Sequence, residues 1–154
     1  MKYLSTLLLM VACGGGTGQR SGDEEADDTA EITCDGKPEV DHDELGNQQS
    51  GVDVLINATV VADSTEGCED EGLIGVWVHH KAETDTQYGT APVPLQSQDG
   101  SEYTGYIDGA NIKNTAAIQY YFEAVGEDGD STIEPAGADT NFRDAYRFTV
   151  VPAR

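Results

Sequence analysis

The chain has 154 residues and is strongly acidic, with 29 Asp and Glu against 8 Lys and Arg and a formal net charge of −21. A length of this order accommodates one domain. Nucleic-acid binding is excluded, because it requires clustered Lys and Arg that displace counterions from the phosphates, and no such cluster occurs in the sequence. Apolar runs also stay shorter than the roughly 18–20 residues that a membrane-spanning helix needs.

The first thirteen residues, MKYLSTLLLMVAC, have the pattern of a secretory signal. Lys2 supplies a positive start, residues 4–11 are mostly apolar, and small residues follow. The end of this segment, Met10-Val11-Ala12-Cys13, resembles the lipobox of bacterial lipoproteins. The resemblance implies cleavage before Cys13, diacylglycerol on its thiol, and a lipid-anchored location in a bacterial cell envelope. An unlipidated secretion signal and a short buried helix are the alternatives.

The segment after Cys13 predicts a flexible tether and indicates which membrane would hold the lipoprotein. In Gram-negative lipoproteins of this kind, Asp in the next position retains the protein in the inner membrane, so Gly14 implies the outer membrane if the cell has one. Residues 14–30 contain no large apolar side chain and cannot bury enough surface to offset chain entropy, which predicts disorder. We therefore expect a signal peptide at 1–12, a lipidated cysteine and tether at 13–30, and a folded domain at 31–154.

The folded segment alternates apolar and polar side chains and shows almost no helical periodicity, which predicts an all-β domain. Asp-Gly pairs at 99–100, 108–109 and 128–129 are turn signals. Seven short strands joined by polar turns are typical of a β-sandwich. The predicted strands cover residues 39–43, 52–62, 74–81, 88–95, 103–107, 117–125 and 145–151.

Three of these segments carry a second resemblance. They are YTGYI at 103–107, IQYYFEA at 118–124 and YRFTV at 146–150. Their order resembles the Ig-like, fibronectin type III-related domains of secreted bacterial proteins, in which they match strands E, F and G. The resemblance covers most of residues 38–151 and implies a single antiparallel Ig-like sandwich. Members of that family commonly serve as spacers, adhesion modules or accessory domains, so the resemblance implies no activity.

Two cysteines remain once Cys13 is assigned to the anchor. Cys34 and Cys68 form an even pair in a chain predicted to be exported, which predicts a disulfide. A reactive thiol is the alternative, but acidic neighbours such as Asp35 and Glu69 disfavour a thiolate.

The sequence shows no catalytic or metal-binding set. His79 and His80 are adjacent in a predicted strand, so they point to opposite faces and cannot share a metal, and His42 is isolated. The acidic runs at 66–71 and 127–130 match no D-x-D-x-D-G calcium loop and are interpreted as solvated surface, with calcium binding as the alternative. We therefore expect no cofactor, no metal and no enzymatic activity.

Strand parity predicts an outward aromatic pair. On the strand at 74–81, alternation directs Ile74, Val76, Val78 and His80 toward the core and Trp77, His79 and Lys81 away from it. Tyr121 points outward on a neighbouring strand by the same argument. Exposed Trp and Tyr are typical of protein-binding hot spots and of sugar-stacking platforms, so Trp77, Tyr121 and His79 form a possible binding face. The alternative is that a loop or residues 88–95 cover these rings.

These observations favour a non-catalytic envelope lipoprotein that presents an acidic Ig-like module for adhesion, envelope assembly or protein binding. Its partners would be the membrane, through the lipid anchor, and an unknown protein or glycan. The alternative function is a carbohydrate-binding module that uses the Trp77 and Tyr121 face.

Overall fold

The computed structural model describes residues 36–63, 68, 72–89, 91–113 and 115–153. The predicted signal peptide, Cys13, the tether and Cys34 lie outside these ranges. One 3₁₀ helix (Gly109–Ile112) accompanies the strands. The described strands are β1 (Glu39–Asp41), β2 (Gln48–Gln49), β3 (Val54–Val61), β4 (Leu73–Ala82), β5 (Val93–Pro94), β6 (Gln96–Asp99), β7 (Glu102–Ile107), β8 (Ala117–Gly126), β9 (Ser131–Glu134) and β10 (Tyr146–Val151).

The strands form two sheets. The smaller sheet has the order β1-β3-β7-β6, and the larger has the order β2-β10-β8-β4-β5, with β9 paired to β8. Pairing is antiparallel except between β2 and β10. An Ig constant-type sandwich has strands A, B, E and D in one sheet and C, F and G in the other. The smaller sheet matches this order when β1, β3, β7 and β6 are taken as A, B, E and D. The larger sheet matches it when β4, β8 and β10 are taken as C, F and G. The predicted all-β Ig-like fold is therefore confirmed.

The hydrophobic core lies between the two sheets, as the alternation predicts. Each inward side chain that leaves water on folding contributes about 1.5–3 kcal/mol. In β3 every second residue is buried, and in β8 the inward residues Tyr120 and Phe122 are fully buried. The buried core comprises Val54, Ile56, Ala58, Val60, Val76, Val78, Leu95, Ile107, Ile112, Ile118, Tyr120, Phe122, Ala124 and Phe148.

Some short strands escape the sequence pattern. The three strands that were not predicted are β2, β6 and β9, and β6 reads QSQD with every residue exposed. A strand without a buried face has no apolar alternation, so its pairing with β7 leaves no signal in the sequence. The strand predicted at 88–95 is also too long, because only Val93–Pro94 pairs with β4.

A bulge in β4 corrects the prediction for Ile74. The register with β8 shifts between Leu73 and Gly75, so the intervening Ile74 leaves the alternation and is 63% exposed. Beyond the bulge, Val76 and Val78 are buried as predicted.

The connection between β7 and β8 contains the 3₁₀ helix where a simple Asp-Gly turn was predicted. The Asp108 carboxylate accepts the Ala110 amide at 2.7 Å, and the Gly109 amide donates to Asp53 at 2.8 Å. A side chain at Gly109 would place its Cβ 2.6 Å from the backbone of Gly51, so this close approach requires glycine. No helix of the described residues is long and apolar enough to cross a membrane.

Candidate functional site

The structure places the predicted binding-face residues on the outer surface of the larger sheet, where His79 and Tyr121 are in contact. The register of β4 with β8 places His79 opposite Tyr121 and Trp77 opposite Glu123. The His79 ring stacks on Tyr121 with centroids 4.5 Å apart and planes within 5°. His79 Nε2 also lies 2.8 Å from Glu123 Oε2. The predicted outward parity of these side chains is therefore confirmed.

Of the two interpretations of this face, exposed or covered, the covered one applies to Tyr121, because only 7% of its surface is accessible. The Tyr88 ring packs edge-on against Tyr121 at 4.7 Å, and Phe142 packs against Tyr88 at 5.3 Å. Burial is the main reason that the pKa of Tyr88 rises to about 12. The alternative interpretation, in which a loop and the segment at residue 88 cover the rings, describes the structure.

Lys81 explains how the covering loops are held. It lies on the outward face as predicted, yet it is only 4% exposed. Its Nζ donates to the backbone oxygen of Asp85 at 2.7 Å and lies 4.3 Å from the centroid of Phe142. Gln119, which is paired with Lys81 in the register, donates to the backbone oxygen of Phe142 at 2.8 Å. The segments 83–89 and 135–145 are thus attached to the sheet by polar contacts as well as by aromatic packing.

Trp77 remains partly buried and does not form an aromatic strip with Tyr121. Its ring lies over Gly75, where an added Cβ would sit 2.5 Å from the ring atom Cη2. On its other side Trp77 pairs with Pro94 of β5. The side chain therefore covers its own strand, and among the described residues the larger sheet has no broad exposed aromatic surface.

His42 is connected to both sheets, although the sequence gives it no partner. Its Nδ1 lies within hydrogen-bond distance of the Asn57 carbonyl, which can only accept, so Nδ1 donates. Nε2 of the neutral ring then accepts from the Tyr120 hydroxyl at 2.8 Å. The Leu45 amide also bonds to Tyr120, and the His42 ring contacts Phe122 and Tyr146. His42 therefore anchors the segment between β1 and β2 to the core.

Burial lowers the pKa of His42 below its ordinary value of 6.5 and outweighs the nearby Asp43 and Asp41, which act in the opposite direction. Burial, together with the charge of His79, also lowers the pKa of His80, whose Nδ1 is buried without a hydrogen-bond partner. Near and below pH 6.5 these two histidines are therefore protonated to a greater extent in the unfolded chain than in the folded protein.

We expect the free energy of unfolding to decrease as the pH falls from about 7.5 to about 5.5, because histidine protonation favours the unfolded chain in this range while most carboxylates stay ionised. Urea titrations at several pH values measure the slope. His42→Gln and His80→Gln should each reduce it, and the double variant should reduce it most. A double variant with the wild-type slope would contradict this assignment.

A cleft of about 340 Å³ lies beside His42 and is lined by the segment after β1, by residues 57–59 of β3 and by Glu102 of β7. Its wall includes four carboxylates, those of Asp41, Asp43, Glu44 and Glu102. Thr59 Oγ1 donates to Glu102 Oε1 at 3.1 Å, which orients that carboxylate. Within the described part of the chain, no three His, Cys, Asp or Glu side chains are arranged to hold a metal ion.

The outer face of the smaller sheet carries large apolar side chains that nothing in the described chain covers. Leu55 on β3 and Tyr106 on β7 are directly opposite in the register, with exposed fractions of 44% and 61%. Val61 projects from the same face near the end of β3 and is 40% exposed. We call this surface, comprising the outward residues of β1, β3, β7 and β6, the open face.

The two remaining predicted features stay partly untested. Cys68 is buried, and its predicted partner Cys34 lies outside the described residues, so their disulfide stays a prediction. The acidic turn at 127–130 is exposed, and Asp128 Oδ1 accepts the Asp130 amide at 3.0 Å. Residues 66, 67 and 69–71 of the other acidic run are not described.

No family model and no curated protein matches the sequence. Among solved structures, murine CRIg gives a TM-score of 0.41 at 11% identity, over 77% of this chain and 100% of that chain. The GspB Siglec domain gives a TM-score of 0.46 at 16% identity, over 76% of this chain and 58% of that chain. The M1 domain from titin gives a TM-score of 0.36 at 11% identity, over 76% of this chain and 95% of that chain. The Ig-like assignment rests on the strand order of the two sheets.

Proposed function

We propose that this protein is a non-catalytic envelope lipoprotein whose acidic Ig-like module binds a protein partner. The main support is the contrast between its two sheet surfaces. Two segments cover Tyr121 on the outer surface of the larger sheet, whereas the smaller sheet exposes the Leu55 and Tyr106 pair on a face that also borders a carboxylate-lined cleft. An uncovered apolar surface with a polar rim is a feature of protein-binding sites.

The described residues favour binding over catalysis. The strongest candidate for a general base is His42, but both of its ring nitrogens are occupied by Asn57 and Tyr120. A general base must reach the proton that it removes, and this geometry leaves neither nitrogen available for a substrate. The alternative of carbohydrate binding loses its platform, because stacking needs an open ring and Tyr121 is covered.

Photo-crosslinking tests the binding function. A photoreactive phenylalanine in place of Tyr106, in cells that make the full chain, should produce a discrete protein adduct of higher mass. The same residue in place of Arg147, which is exposed on the opposite sheet, is the matched control and should produce no adduct. Absence of adducts from Tyr106 and from other exposed positions of the domain would contradict a binding function.

Membrane anchoring is proposed from the Met10–Cys13 motif. Two or three acyl chains give stable attachment, at about 0.8 kcal/mol for each buried CH₂ group. Cys13→Ser removes the acceptor thiol, so we expect loss of labelled palmitate and of membrane retention. Ser21→Ala, a single substitution in the predicted tether that leaves every cysteine in place, is the control. Unchanged labelling of the Cys13→Ser protein would refute the anchor.

A further inference from the structure

We infer that the open face docks a basic polypeptide segment, whose apolar side chain packs on Leu55 and Tyr106 while its Lys or Arg reaches the carboxylates at the cleft. This inference rests on the binding function proposed above and specifies the chemistry of the partner.

The apolar part of the surface is a cross-strand pair without a cover. Leu55 and Tyr106 face each other between β3 and β7, so their side chains form one continuous patch. They are 44% and 61% exposed, whereas Tyr121 and Lys81 on the outer surface of the larger sheet are buried by the segments 83–89 and 135–145. Aromatic side chains of this kind, with an apolar ring and a hydroxyl, are common anchors in protein interfaces.

The charge of the surroundings determines what can dock there. The four strands of the open face read EVD, VLINATVV, EYTGYI and QSQD, and they contain no Lys or Arg. Asp41, Asp43, Glu44 and Glu102 line the cleft at one side of the face. A partner with positive charge is attracted to this surface, and a partner with negative charge is repelled.

The spacing of the two parts suits an extended segment. Thr59, which holds Glu102, is four residues from Leu55 on the same side of β3, so the patch and the cleft are roughly 13 Å apart. An extended partner strand covers this distance with about four residues. Its apolar and basic side chains then lie on one face of that strand, because side chains an even number of residues apart point the same way.

Other occupants fit less well. A second copy of this chain would bring a formal charge of −21 against the same acidic surface, which opposes association. A glycan would need an open aromatic platform broader than the ring of Tyr106, which is the one exposed aromatic ring among the described residues. A basic polypeptide satisfies the apolar patch and the carboxylates together.

Fluorescence anisotropy with the purified full chain tests the inference. The probe is a labelled peptide of about ten residues that carries Leu and Lys four positions apart, and a version with Glu in place of Lys is the reference peptide. We expect the Lys peptide to bind and the Glu peptide not to bind. Tyr106→Ser and Leu55→Ser should each weaken binding by about tenfold, as expected for central anchors.

Two charge variants distinguish this surface from general attraction to an acidic protein. Asp41→Asn with Glu102→Gln removes two charges from the open face, and Asp128→Asn with Asp130→Asn removes two from the exposed turn after β8. The first pair should weaken binding by about tenfold and the second by less than about twofold. The midpoint temperature of thermal unfolding is measured for each variant, and a value equal to that of the wild type shows that the fold is intact.

Equal weakening by the two charge pairs would overturn the inference, and so would a folded Tyr106→Ser variant that binds like the wild type. Failure of the peptide to bind, alongside a discrete cross-linked partner at Tyr106, would overturn the basic partner and leave the proposed binding function standing. Absence of any cross-linked partner would contradict the binding function itself.

Discussion

Replacing Tyr121 with Ala should lower the free energy of unfolding by about 3–5 kcal/mol, as for other buried aromatic residues. The ring is 7% exposed, and it lies between the stacked His79 and the edge of Tyr88. Removing it leaves a cavity beneath segments that are held by Lys81 and Phe142, so the sheet cannot collapse to fill the space. Urea denaturation measures the change.

Trp77→Ala is the matched control for Tyr121→Ala. Both residues point outward from neighbouring strands, but Trp77 is only partly buried over Gly75. We expect its loss to lower the free energy of unfolding by less than the loss of Tyr121, because solvent can enter the space that Trp77 leaves and no closed cavity forms. A Tyr121→Ala variant within about 0.5 kcal/mol of the wild type would mean that the rings are not covered.

The second large effect concerns the predicted disulfide between Cys34 and Cys68. Closing a loop of about 34 residues restricts the unfolded chain, so the double Cys→Ser variant should lose about 2–4 kcal/mol of stability. Cys68 is buried, as expected for a structural cysteine. A reactive thiol would be expected to be accessible to solvent.

Thiol counting on the unfolded, unreduced protein provides the direct measurement. Neither cysteine of the pair should react before reduction, and both should react after it. Two titratable thiols in the unreduced chain would refute the disulfide, and so would a double variant as stable as the wild type.

For the outer surface of the larger sheet, the sequence predicts the direction of the side chains and leaves their exposure open. Alternation determines which side of a strand carries each residue, so Trp77, His79, Lys81 and Tyr121 are placed on the correct side. Whether that side meets water depends on segments from elsewhere in the chain. Phe142 reaches Lys81 from more than 60 residues away, and nothing near Lys81 in the sequence indicates this contact.

His42 shows the same limit for a candidate functional residue. Its partners Asn57 and Tyr120 lie on different sheets, 15 and 78 residues further along the chain. Tyr120 is predicted to point inward on β8, and a buried tyrosine hydroxyl needs a hydrogen-bond partner. This is the one signal in the sequence that such a partner exists. The identity of that partner depends on how the segment after β1 crosses the core.

The amino-acid sequence alone therefore determines the strands with one buried face, their inward side chains and the acidic character, because these follow from local alternation and composition. The Ig-like order of the strands was implied by the resemblance of three segments to a known family. Only the tertiary structure decides which outward side chains meet water, since segments that are distant in sequence cover Tyr121 on the larger sheet and leave Leu55 and Tyr106 exposed on the smaller one. Coverage arises from long-range contacts, and a periodic pattern in one strand contains no information about them.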